Sequence, residues 1–139
     1  MSIDNKLNPW PYFDNDQIEI ASKVLASGNV NYWTGKQTKL FEKEFSQYIN
    51  SRYSIAIANG TLALQAAYSS LNLQNGDEFI TTPRTFIATS SAGVLLGARP
   101  IFADVDIDSG LLTAETIEPK ITNNTKVISI VHLAGWPAE

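Results

Sequence analysis

The strongest constraint on the fold is the regular alternation, from residue 53 onward, of short β-branched runs with stretches of helical character. The run "YSIAIA" (53–58) leads into a helix over 61–73, and "EFITT" (78–82) leads past Pro83 into one over 86–96 that Gly97 closes. The run "PIFADV" (100–105) leads into a short helix begun at Thr113 and ended by Pro119, before "KVISIVH" (126–132). Strands that alternate with helices across short connections are predicted to lie parallel, because a parallel pair needs a crossover and the crossover covers the sheet. Two helices precede this pattern. Residues 16–27 place Ile18, Ala21, Val24 and Leu25 on one face, with Asp14 or Asp16 as cap and Gly28 as stop. In "TKLFEKEFSQYIN" (38–50), Phe41, Phe45, Tyr48 and Ile49 recur at i, i+4, i+7 and i+8. The predicted class is α/β, with a mostly parallel sheet and helices on both faces.

Composition then narrows what such a domain can do. With 44% hydrophobic residues in 139, the chain can bury one sizeable core. Its net charge of −4 arises from interspersed acids and bases, so no basic stripe exists to neutralise a nucleic-acid backbone. The absence of cysteine removes disulfides, thiolate nucleophiles and cysteine metal sites. The polar start "MSIDNKLNPWPYFDND" has no apolar h-region, and no apolar run approaches membrane-spanning length. These features predict a soluble, cytoplasmic protein that binds neither nucleic acid nor membrane.

Three places offer chemistry. In "IAIANGTLALQAA" (55–67) a strand meets a helix through Asn59-Gly60-Thr61. A helix beginning there presents unpaired N–H groups and its positive dipole end, and Gly60 lets an anion approach the backbone. The same three residues also read as an ordinary turn with Thr61 capping the helix. In "TTPRTFIATSS" (81–91), Thr85 and Phe86 again stand where a strand end feeds a helix. There an aromatic ring either stacks on a flat ligand or joins the core. His132, the only histidine, ends the fourth strand, and alone it has no partners for a metal site and favours a hydrogen-bonded structural role. Asp104 and Asp106 in "FADVD" alternate along a strand and so point to opposite faces, which favours capping or turn roles.

Taken in order, the motifs N-G-T-x-A-L, G-D-E, T-F-x-A-T, G-A-x-P-x-F-x-D-x-D, T-K and V-H-L-x-G span residues 59–135. Upstream, "WTG" is followed by "FEKEF". Together they resemble the DegT/DnrJ/EryC1/StrS family of pyridoxal-phosphate (PLP)-dependent sugar aminotransferases over nearly the whole chain. The resemblance implies the large domain of a fold type I PLP-dependent transferase. Residues 1–50 would form an amino-terminal helical segment bordering the active site, and 51–139 the first part of the PLP-binding domain.

By position, the resemblance places the cofactor phosphate at Gly60, Thr61 and the amide of Leu62. It sets Phe86 against the pyridine ring and His132 near the cofactor. Tyr12, Trp33 and Thr34 match regions that border a sugar-nucleotide pocket, and the "NYWTG" loop would serve a homodimer junction. Ser91 departs from the asparagine often found at its position. The family's Schiff-base lysine and its pyridine-pairing aspartate would lie beyond Glu139, since none of Lys6, Lys23, Lys36, Lys39, Lys43, Lys120 and Lys126 stands in the Schiff-base motif. No catalytic residue and no metal site is therefore expected in these 139 residues, and no activity from them alone.

The complete protein would move an amino group from glutamate or glutamine to a nucleotide-linked keto sugar, for polysaccharide, lipopolysaccharide or amino-sugar synthesis. The rivals are a PLP-dependent sugar dehydratase of the same superfamily and a short non-catalytic binding protein. In the family's sheet, later strands separate the first strand from the next three. Strand 53–58 is thus expected to lack neighbours, so that an isolated chain would rearrange, swap or associate.

Overall fold

The computed structural model describes residues 10–139. The chain divides into two compact units, Met1–Ala56 and Ile57–Glu139.

The first unit is built from two amphipathic helices. Helix α1 (Asn15–Ser27) starts at a capping box in which Asp14 accepts from the Gln17 amide while Gln17 accepts from the Asp14 amide. It stops at Gly28, whose φ of 70° is the left-handed conformation that glycine adopts without strain. Helix α2 (Gln37–Tyr48) carries the stacked pair Phe41 and Phe45, ring centroids 5.5 Å apart. Neither helix has a buried residue, so the apolar faces read from the sequence stay open: Leu25 is 72% exposed and Phe41 54%.

The second unit holds helix α3 (Gly60–Ser70), strand β1 (Glu78–Thr81), helix α4 (Ala88–Val94) and strand β2 (Arg99–Phe102). The short helix α5 (Ala114–Ile117) and strand β3 (Thr125–Ile128) follow. The sheet is parallel in the order β2-β1-β3, with Ile80 opposite Ile101 on one side and Ile128 on the other. All four residues of β1 are buried, as a central parallel strand covered on both faces must be.

Adjacent side chains on β1 divide the core between the faces. Phe79 packs with Tyr68 of α3, Ala92 of α4, Leu73, Ala98 and Val127, whereas Ile80 packs with Ala103, Leu112 and Ile117 of α5. Helix α4 approaches the sheet closely because Gly93 has no side chain. A Cβ there would lie 2.5 Å from the Phe79 ring.

One element differs from expectation. Residues 53–58 form no strand, and Ile55 is 78% exposed. A strand satisfies its N–H and C=O groups only through neighbours, and among the described residues none pairs with this segment. The β-branched composition of "YSIAIA" supplies propensity but cannot supply a partner. The other three strands appear, each shortened at its carboxyl end, and all three helices expected in this unit form.

Candidate functional site

In a parallel sheet the strand ends and the starts of the following helices share one edge, so the order of elements gathers particular residues there. Helix α3 feeds β1, and α4 and the 133–135 turn follow β1 and β3, which puts Gly60, Phe86 and His132 toward the carboxyl edge of the strands.

At the start of α3 the donors are divided. Asn59 is the N-cap, and its side-chain Oδ1 accepts from the Leu62 amide at 3.0 Å while its carbonyl accepts from the Ala63 amide at 3.1 Å. The Gly60 and Thr61 amides have no acceptor among the described residues. A Cβ built on Gly60 would meet nothing within 4 Å, so the side-chain side of Gly60 is open. The cap is thus Asn59 rather than Thr61, which leaves the Thr61 hydroxyl available as a third donor beside the two amides.

Phe86 stands one turn before the body of α4 and is 73% exposed. Among the described residues, Phe86 belongs to neither buried cluster. Its turn is held by Thr89, whose amide donates to the Phe86 carbonyl at 3.1 Å and whose hydroxyl lies 3.1 Å from that of Thr85.

His132 precedes the turn Leu133–Gly135, and its Nδ1 accepts from the Ala138 amide at 2.9 Å. Nδ1 therefore carries no proton, and the neutral ring presents its proton at Nε2. Asp106 has the turn role expected of it: its Oδ1 accepts from the Ser109 amide at 2.8 Å and the Ser109 hydroxyl at 2.9 Å. Those two bonds, the amide first, hold its carboxyl below the ordinary aspartate value. No group of three or more metal-ligating side chains occurs among the described residues.

In the first unit, the loop between α1 and α2 is shaped by two residues. Asn31 Oδ1 accepts from the amides of Trp33 and Thr34, at 2.9 and 3.0 Å, which folds an Asx turn that leaves Trp33 85% exposed. Gly35 closes it, since a Cβ there would lie 2.7 Å from the Asn29 carbonyl oxygen and 2.8 Å from that of Asn31. Thr34 borders a groove of about 330 Å³ with Lys23, Ser27, Asn29 and Lys36, and Trp33 does not line it. Tyr12 is exposed ahead of α1.

The sequence pattern of the DegT/DnrJ/EryC1/StrS aminotransferase family matches residues 11–139. The chain belongs to this family.

Solved structures agree with that membership. An aminotransferase from Psychrobacter cryohalolentis is 50% identical and superposes with a TM-score of 0.91 over 94% of this chain and 33% of that one. Spr1654 of Streptococcus pneumoniae, a candidate sugar aminotransferase solved in its PLP form, is 30% identical, with a TM-score of 0.87 over 93% of this chain and 32% of its own. NtdA of Bacillus subtilis, solved with its cofactor PMP bound, is 34% identical, with a TM-score of 0.78 over 87% and 28%. The chain thus spans about a third of the length of these relatives.

Two side-chain roles in this family member differ from those expected of the sequence, the N-cap role of Asn59 and the bonds of Tyr68. Asn59 was legible in type, because asparagine is a preferred N-cap. The bonding of Tyr68 to Thr89 and Ser129 was not, because it joins residues 21 and 61 positions apart.

Proposed function

We propose that this chain is the cofactor-binding portion of a cytoplasmic, homodimeric PLP-dependent aminotransferase. The complete enzyme would move an amino group from glutamate or glutamine to a nucleotide-linked keto sugar, in polysaccharide or amino-sugar synthesis. The observation that carries this reading is the start of α3, where the Gly60 and Thr61 amides have no acceptor among the described residues and a Cβ at Gly60 would meet nothing within 4 Å. That donor set fits a phosphate, because a helix N-terminus favours an anion and a glycine permits close approach. When bound, PLP supplies the electron sink on which transamination depends.

The chain's own residues then have distinct tasks. Gly60 and Thr61 hold the phosphate, and the Leu62 amide joins them only if the Asn59 side chain releases it. Phe86 covers one face of the pyridine ring with an exposed aromatic surface. His132 presents Nε2–H near the cofactor, with its ring fixed by the Ala138 amide. Tyr12, Trp33 and Thr34 border the sugar nucleotide. Residues 1–139 by themselves carry no aminotransferase activity, since none of the seven lysines stands in the family's Schiff-base motif.

Titration of PLP into the full-length protein tests this reading. Thr61→Val, which keeps shape and removes the hydroxyl, is expected to weaken PLP by about tenfold, the size of one hydrogen bond to a charged group. An unchanged affinity would refute the phosphate site. After borohydride reduction, mass spectrometry should find the cofactor on a lysine other than these seven.

A further inference from the structure

We infer that Tyr68 is a positioning residue for Phe86, acting through the first turn of α4. This rests on the reading of Phe86 as the ring that stacks on the cofactor. Tyr68 is 3% exposed, and its Oη lies 2.9 Å from the Thr89 carbonyl oxygen and 2.8 Å from Ser129 Oγ. A carbonyl can only accept, so the single phenolic proton goes to Thr89, and the Ser129 hydroxyl must donate to Tyr68. Ser129 is itself anchored: its amide donates to the Ile80 carbonyl at 2.8 Å, and its carbonyl accepts from Thr81 Oγ1 at 3.0 Å.

A directed chain of bonds therefore runs from the end of β3 through α3 to the backbone of Thr89. Thr89 in turn donates its amide to the carbonyl of Phe86 and pairs its hydroxyl with Thr85. Phe86 is 73% exposed and belongs to neither buried cluster, so little core packing fixes it, and its direction follows from the backbone turn that Thr89 ties. The Tyr68 ring packs against Phe79, centroids 5.4 Å apart, so the ring fills the core while the hydroxyl makes the two bonds. The buried hydroxyl is explained by what it grips, since burying it without a partner is costly.

The test uses full-length protein and PLP as the probe, in a cycle of Tyr68→Phe, Phe86→Ala and the double variant. Binding constants are read by titration, the induced circular dichroism of the cofactor band is read per bound cofactor, and thermal midpoints are read without cofactor. Tyr68→Phe is expected to weaken PLP by about fivefold, the factor that one ordinary hydrogen bond represents, and to diminish the induced band. The double variant is expected to bind no more weakly than Phe86→Ala. Ser129→Ala, which loosens the same chain one bond further back, is expected to shift affinity and band in the same direction by less, and it serves if Tyr68→Phe does not fold.

A lowered thermal midpoint with unchanged affinity and band would overturn the inference and leave Tyr68 a structural residue. Additive losses in the double variant would overturn it too. If Phe86→Ala itself binds PLP normally, the stacking reading falls, and this inference falls with it.

Discussion

Asn59 has two consequences that oppose each other. Its carboxamide oxygen caps α3, and in doing so it takes the Leu62 amide that the family resemblance offers to a phosphate. Asn59→Ala is expected to cost about 1 kcal/mol of stability in a urea melt, the usual worth of an N-cap. The same substitution frees the Leu62 amide, so PLP affinity should be retained or strengthened. A variant that lost both stability and affinity would show that the cap holds the site rather than competing for it. The residue types at this site were legible, because Asn-Gly-Thr before a helix points to both cap and cradle. Which amide each function takes was not, because that depends on a side-chain torsion.

At the level of elements, α4 shows why propensity alone misleads. Replacing a helical glycine by alanine ordinarily stabilises by about 1 kcal/mol. At Gly93 the added Cβ would lie 2.5 Å from Phe79 Cε1, on a ring that is itself fully buried. Gly93→Ala is therefore expected to destabilise by about 1–3 kcal/mol in denaturant unfolding, as overpacked cores do. Segment 53–58 makes the complementary point. Its amides are expected to exchange with deuterium rapidly while those of β1 are protected, since β1 is paired on both sides and 53–58 lies in no ladder. Slow exchange across 53–58 would mean that the segment has found a strand to pair with, as a swap or association would provide.

At the scale of the whole molecule, Glu78 joins three strands at the start of the sheet. It is buried, it accepts from the Thr122 hydroxyl at 2.6 Å just ahead of β3, and it pairs with Arg99 at the start of β2. The Thr122 bond first, then the Arg99 bond, hold its carboxyl below the ordinary glutamate value against the opposing effect of burial. Because the native group takes up its proton at lower pH than the unfolded one, its stabilisation is fully present above the ordinary glutamate range. That stabilisation is lost as pH falls through the lower native value. Glu78→Gln should accordingly be less stable than the parent at neutral pH and should show a shallower loss of urea midpoint on acidification. Equal acid limbs would place the sensitive carboxylate elsewhere, with Asp106 and Glu115 the other carboxyls held low.

What the sequence determined by itself is what local chemistry can specify. The capping residues and glycine stops set the helices, the alternation of elements set the parallel class, and the ordered motifs set the family. Helices satisfy their own backbone groups, so α1 to α4 follow from their residues. The tertiary structure alone decided the rest. Strands need partners that lie far along the chain, which is why "YSIAIA" forms none here while "EFIT" sits between two. The exposure of Phe86, the choice of Nδ1 as acceptor on His132 and the bonds of Tyr68 likewise depend on which distant groups come within about 3 Å, the reach of a hydrogen bond.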